Sequence, residues 1–127
     1  MKRRTAREKA LQILYSIDTE EYNLELTKQE ILKENEHHPF LLDLLNGVVM
    51  NKDEIDERIS QYLEKWSLKR LAGVERTLLR IATYELFYLE DAPPTVIINE
   101  AIEIAHKFGD EKSGKFINGV LSKMLKN

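Results

Sequence analysis

Apolar residues recur three and four positions apart along nearly the whole chain, and no run of them alternates with period two. That spacing predicts an all-α fold, because it gathers side chains on one face of a helix and would scatter them on a strand. Glycine and proline divide the pattern. The first helix is expected over about 5–19, with Thr5 as a cap and Ala6, Ala10, Ile13, Leu14 and Ile17 as its core stripe. A shorter helix follows over about 26–34 and ends before Asn35 and the His38-Pro39 pair. Pro39 suits a first helical turn, so a third helix runs from there to about Tyr62, with Asn51-Lys52-Asp53 as the place where it would break. After Trp66 and a short turn at 67–71, residues 74–89 are strongly periodic until Ala92-Pro93-Pro94 stops them. Thr95 is placed to cap a helix over 96–108 that Gly109 ends, and Ser113 or Gly114 opens the last, which ends near Lys126. The expected architecture is about seven helices in two small bundles, 1–65 and 66–127, packed as one compact unit.

Composition narrows what such a fold does. A chain of 127 residues buries enough apolar surface to stand without staples, and with no cysteine it has no disulfide, thiolate ligand or thiol nucleophile. No stretch approaches the roughly 20 apolar residues needed to span a bilayer; the longest, 40–50, is interrupted by Asp43 and Asn46. The basic start Met1-Lys2-Arg3-Arg4 leads into a charged amphipathic segment, so no secretory signal and no membrane partner is expected, and the cytoplasm is the expected location. Net charge is −3, but it is segregated. Residues 1–9 carry five cations against Glu8, whereas 18–36 carry seven carboxylates against Lys28 and Lys33. Any polyanion is drawn to one end and repelled by the next stretch, so a nucleic-acid site must be local.

Catalytic and metal chemistry find little support. His37-His38 precede Pro39 in a loop and His106 lies near a helix end; none has a partner histidine four residues away, so exposed loop and helix-end histidines are expected. The five glycines are scattered and form no phosphate-cradling loop. One carboxylate stands out: Glu85 projects onto the buried face defined by Val74, Leu78, Ile81, Ala82 and Leu89. It is either a poised acid or base, for which the sequence indicates no second group and no pocket, or an acceptor tying helix ends or the amides of Asn99 or Asn118. We therefore expect a binding protein without cofactor or metal, not an enzyme.

The binding chemistry lies at the N-terminus. Arg3, Arg4 and Arg7 straddle the first turn of helix one. Arginine offers phosphate a planar fork and offers unstacked bases a flat surface, which suits single-stranded RNA better than duplex DNA. The terminus itself has no aromatic side chain, and the competing reading is a merely solvated tail. Arg4, Arg7, Leu11 and Tyr15 follow one another at i, i+3, i+7 and i+11, so an outward strip passes from positive charge to apolar and aromatic surface, with Tyr15 exposed. Such a helix would hold RNA at its tip and protein along its flank, unless the rest of the chain covers Leu11 and Tyr15.

Several segments together carry a family resemblance: Lys-Arg-Arg-Thr-Ala-Arg-Glu-Lys-Ala at 2–10, Leu-Tyr-Ser at 14–16, Val-Glu-Arg-Thr-Leu-Leu-Arg-Ile-Ala-Thr-Tyr-Glu-Leu at 74–86, Ile-Asn-Glu-Ala-Ile-Glu-Ile-Ala at 98–105 and Lys-Phe-Ile-Asn-Gly-Val-Leu at 115–121. Over essentially its whole length the chain resembles the NusB family of bacterial transcription antitermination factors. The resemblance implies two three-helix bundles and a role in processive transcription of ribosomal RNA operons. It implies binding of the boxA element of nascent RNA together with NusE, a small-subunit ribosomal protein, in a complex with NusA, NusG and RNA polymerase. By similarity Lys2, Arg3, Arg4 and Arg7 fall in the arginine-rich RNA-binding motif, and Lys112, Lys115 and Phe116 form a second RNA-contacting patch. Phe116 would then be the base-stacking aromatic, or else a core residue at the edge of the last helix's apolar stripe. Tyr15 and Glu75, with the nearby Arg76, match positions that face NusE. The arginine run is shorter than in some relatives, and Lys112 stands where others carry an acidic residue. The same helical domain also resembles the front of certain ribosomal RNA methyltransferases, of which a chain lacking a glycine-rich methyl-donor site would be only the non-catalytic part. A protein-binding adaptor whose basic tip merely steers association is the alternative of a different class.

Overall fold

A computed structural model describes residues 1–20, 23–65 and 67–126, so Trp66, the expected divide, lies outside the described residues. In chain order the elements are α1 (Arg3–Glu20), α2 (Leu24–Ile31), a 3-10 turn (Glu34–Glu36), α3 (Pro39–Met50), α4 (Lys52–Ser60), a second 3-10 turn (Leu68–Arg70), α5 (Gly73–Tyr84) running on into a π-helical turn (Glu85–Leu89), α6 (Pro94–Phe108) and α7 (Glu111–Lys126). The fold is all-helical, with no strand among the described residues.

The helices stand where periodicity places them, but caps move their ends. α1 starts two residues early, the Ala6 amide donating to the Lys2 carbonyl, so Thr5 is a helical residue instead of a cap. Asn23 caps α2, its side-chain oxygen accepting from the amides of Glu25 and Leu26 at 2.8 and 3.3 Å. The break after Met50 falls at Asn51, whose side-chain amide donates to the Gly47 carbonyl at 2.8 Å. Pro94 takes the first turn of α6 and displaces Thr95 inward, as a residue lacking an N–H fits where that group has no helical acceptor. Ahead of α7, Asp110 accepts from the Ser113 amide at 2.8 Å, so the helix opens at Glu111.

α5 lies at the centre, packed against α1, α3, α4, α6 and α7, and Thr77 through Tyr84 are all buried. Apolar side chains of every long helix join one continuous core cluster. α3 passes so close that a Cβ on Gly47 would sit 2.0 Å from the Tyr84 ring. Burial, helped by a hydrogen bond from its hydroxyl to Asp43, pushes the Tyr84 phenol up to about 12. Past Glu85 the wider π turn ends where Glu90 adopts a left-handed conformation (φ 50°), its amide donating back to the Glu85 carbonyl. Leu89, expected on the buried face, is half-buried because the widened turn rotates it outward; Val74 is half-buried because it borders a surface groove.

Candidate functional site

The first two turns of α1 carry three arginines, and the fold treats them differently. Arg7 points inward and is only 4 % exposed, which corrects its expected place on an outward strip. Its Nε and Nη2 donate to the two carboxylate oxygens of Glu85 at 2.8 and 2.7 Å. Glu85 is 2 % exposed, so its predicted burial is observed, but its partner is a guanidinium and not the amide of Asn99 or Asn118. Charge explains the choice, since an amide leaves a buried carboxylate uncompensated whereas a forked cation satisfies both oxygens.

Arg3 and Arg4 stay at the surface. Arg4 donates through Nε to Glu100 at 3.0 Å, with Nη2 on the second carboxylate oxygen. That hydrogen bond holds the Glu100 carboxyl below its ordinary value against the opposing effect of partial burial. Glu100 also reaches the Nη1 of Arg7 at 3.5 Å, so one α6 carboxylate links the exposed arginine to the buried one. Arg3 pairs with Asp91 and lies over the ring of Phe40, 4.3 Å from its centroid. Lys2, just ahead of the helix, is exposed. The tip thus presents Lys2, Arg3 and Arg4 to solvent, with the two arginines held by carboxylates from the far half of the chain.

Along the flank of the same helix runs a groove of about 430 Å³, lined by Leu11, Tyr15, Val74 and Phe108 with polar edges at Thr5 and Glu8. Tyr15 is 39 % exposed, as its position opposite the core stripe predicts. Leu11 is not: at 4 % exposure it forms the floor, a correction to its expected place on the outward strip, because it packs into the core cluster beneath the groove. The Tyr15 ring lies against the first residue of α5, where a Cβ on Gly73 would approach it to 2.5 Å. Phe108, exposed at the end of α6, completes the groove; only its place just before a helix-ending glycine could have marked it in the sequence.

Glu75 and Arg76 stand half-buried in the first turn of α5. Arg76 does not offer its guanidinium outward. Nε and Nη2 hold Asp18 at 2.9 and 2.7 Å, and Nη1 donates to the Leu71 carbonyl at 2.9 Å, closing the 3-10 turn onto α1. One helical turn on, Arg80 reaches Asp18 at 3.1 Å and grips Asp56 at 2.7 and 3.0 Å. Burial alone would raise the Asp18 carboxyl, but hydrogen bonds from both arginines outweigh it and hold it below its ordinary value. Sequence reasoning passed over Arg80; its position four residues after Arg76, on one helix face, was the available signal.

Lys112 and Lys115 are exposed in the first turns of α7, and Phe116 is half-buried beside them. Its ring borders a shallower groove of about 260 Å³ shared with Tyr62, Gly119, Val120, Lys65 and Lys123, so it both packs on the core and faces solvent. Of the histidines, His37 and His106 are exposed, while the Nδ1 of His38 accepts from the Phe40 amide at 3.2 Å and caps α3. Among the described residues no cluster of three or more His, Asp or Glu side chains is arranged to hold a metal, and no helix is long and apolar enough to cross a membrane.

Similarity to known proteins extends over nearly the whole chain. The model of the NusB family matches residues 4–126. The chain is 51 % identical over 125 residues to the transcription antitermination protein NusB of Oceanobacillus iheyensis, covering 98 % of this chain and 99 % of that one. It is 50 % identical over 122 residues to the Bacillus subtilis protein of the same name, covering 96 % and 93 %. Among solved structures it is similar to T. maritima NusB, with a TM-score of 0.90, 42 % identity and coverage of 100 % of this chain and 92 % of that one. It is also similar to a chain in a crystal structure of the antitermination factors NusB and NusE in complex with double-stranded RNA, with a TM-score of 0.88, 32 % identity and coverage of 98 % and 96 %.

Proposed function

The chain belongs to the NusB family, and from that premise we propose that it is a non-catalytic transcription antitermination factor that holds RNA at the tip of α1 and a protein partner along the flank. The RNA is the boxA element of nascent ribosomal RNA transcripts. The partner is a NusE-like small-subunit ribosomal protein, and the pair works with RNA polymerase, NusA and NusG in the cytoplasm. Lys2, Arg3 and Arg4 supply phosphate contacts and flat cationic surface, with Lys112, Lys115 and Phe116 as a second patch. Tyr15 and Glu75 face the partner across the groove that Leu11 floors and Phe108 borders. Arg7 and Arg76 act from beneath: the first fixes the direction of the tip through Glu85, the second fixes α1 against α5 through Asp18.

One observation carries the reading: in a chain matched to the family along its length, one helix bears the exposed arginines at its tip and contributes Leu11 and Tyr15 to the apolar groove along its flank. RNA gripped at one end and protein docked on the side are therefore held at a fixed spacing, which suits a factor that tethers a nascent transcript to a partner. The solved relative that contains NusE and double-stranded RNA supports both kinds of ligand. A gel-shift series with single-stranded boxA-type RNA, with and without the NusE-like protein, tests it. RNA should be retained, more tightly with the partner, and the logarithm of the binding constant should fall with the logarithm of salt by about 0.7 for each phosphate neutralised. Absence of a shift at low salt, or a shift indifferent to salt, refutes the RNA half of the proposal.

A further inference from the structure

The basic terminus has no aromatic side chain of its own, yet the fold brings one to it from α3. Phe40 stands beneath the tip, with the Arg3 guanidinium carbon 4.3 Å and that of Arg7 5.2 Å from its ring centroid. The ring is anchored: it is buried, its amide donates to His38 at the start of α3, and Arg7 beside it is locked by Glu85. Arg3 is held at its edge by Asp91, a contact in the plane of the guanidinium's N–H groups that leaves the flat faces available. The guanidinium carbon lies over the Phe40 ring, and the side chain nevertheless keeps 45 % of its surface exposed. Asp91 offsets part of the charge Arg3 would offer a phosphate, so what remains distinctive here is the outer flat face. Arg4 differs, since Glu100 grips it through two nitrogens where Asp91 meets Arg3 through one, and no aromatic ring underlies it among the described residues.

We propose that Arg3, backed by Phe40 and edge-locked by Asp91, is a stacking platform for one unpaired base of the bound RNA, with Phe40 and Asp91 as its positioning residues. This rests on the RNA-binding reading above and adds to it a site for a base where charge alone implies only phosphate contacts. A base laid on the outer face completes a ring, guanidinium, base sandwich. It is sequence-tolerant, because every base has a π face. It also requires a strand whose bases are unstacked, so it discriminates against intact duplex.

The test uses the full chain and a boxA-type RNA together with an abasic series in which each base is removed in turn. Wild-type protein should lose on the order of tenfold in affinity at one abasic position, the size expected for one stacked base. Arg3→Lys, which keeps the charge and discards the plane, should lose as much on intact RNA, lose nothing more at that position, and keep the wild-type salt slope. Phe40→Leu, once its melting curve shows it folded, should reproduce the loss at the same position in smaller degree. Arg4→Lys should weaken every member of the series alike. Equal affinity of Arg3→Lys and wild type on intact RNA, or an abasic profile for Arg3→Lys that retains the wild-type minimum, overturns the platform while leaving RNA binding intact. Failure of wild-type protein to bind the intact RNA at any salt overturns the functional reading and the platform with it.

Discussion

The two ends of α1 each meet a cluster of arginines and carboxylates, and the clusters differ in their exposure to solvent. At the far end, Arg76 and Arg80 close on Asp18 and Asp56, and their side chains are largely shielded from solvent. At the tip, Arg3 and Arg4 are paired as well, with Asp91 and Glu100, but remain about half exposed. Pairing alone therefore does not separate a structural arginine from one available to a ligand; burial does. A buried pair cannot exchange its carboxylate for a phosphate without stranding a charge, whereas an exposed pair contributes little to stability and exchanges readily. Arg7 is the instructive case, since it lies among the tip residues in sequence and with the buried cluster in energy.

The contrast is open to attack, most severely at Glu85. Glu85→Ala leaves the Arg7 guanidinium buried and unpaired, so denaturant unfolding should register a loss of about 3–5 kcal/mol; a fully stable variant would erase the distinction between the two kinds of arginine. Replacing Arg3 and Arg4 together by alanine should lower RNA affinity by roughly tenfold to a hundredfold in a salt-controlled binding assay, while the melting temperature barely moves. A large fall in melting temperature without loss of RNA binding would place them with Arg7. Tyr15→Ala should weaken the NusE-like partner by about 1–2 kcal/mol in a pull-down or calorimetric titration, as truncation of an exposed interface tyrosine does. The smallest effect is in pH. Asp18 and Glu100 both titrate below their ordinary values when folded, so the unfolded chain binds more protons in the acid range and their contribution is complete above ordinary carboxylate pKa values. It is lost as pH falls through the lower folded values. Asp18→Asn should flatten the acid limb of stability against pH, and an unchanged limb would mean that the arginine pairs do not hold that carboxylate.

Much of the fold was legible because its signals are local. The core stripe of α1, the break near Asn51, the inward projection of Glu85 and the exposure of Tyr15 all follow from counting along a helix. Helix ends were less legible, because single side chains such as Asn23 and Asp110 decide them by capturing amides two and three residues on. Leu11 lay beyond helical counting, which gives an angle and not the identity of the neighbour: of the two residues on that strip, the fold buries Leu11 and leaves Tyr15 at the rim.

Sequence by itself determined the helical class, the position of most core residues, the charged tip and the family. Only the tertiary structure decided which arginine of the tip is buried and which two stay at the surface. Arg3, Arg4 and Arg7 carry the same charge within the first two turns of one helix, and what divides them is delivered from elsewhere in the chain: Glu85 from the end of α5, Glu100 from α6, Asp91 ahead of it, and Phe40 from α3. The free energy of a charge depends on whether its surroundings are water or protein, and that is fixed by contacts between segments remote in sequence.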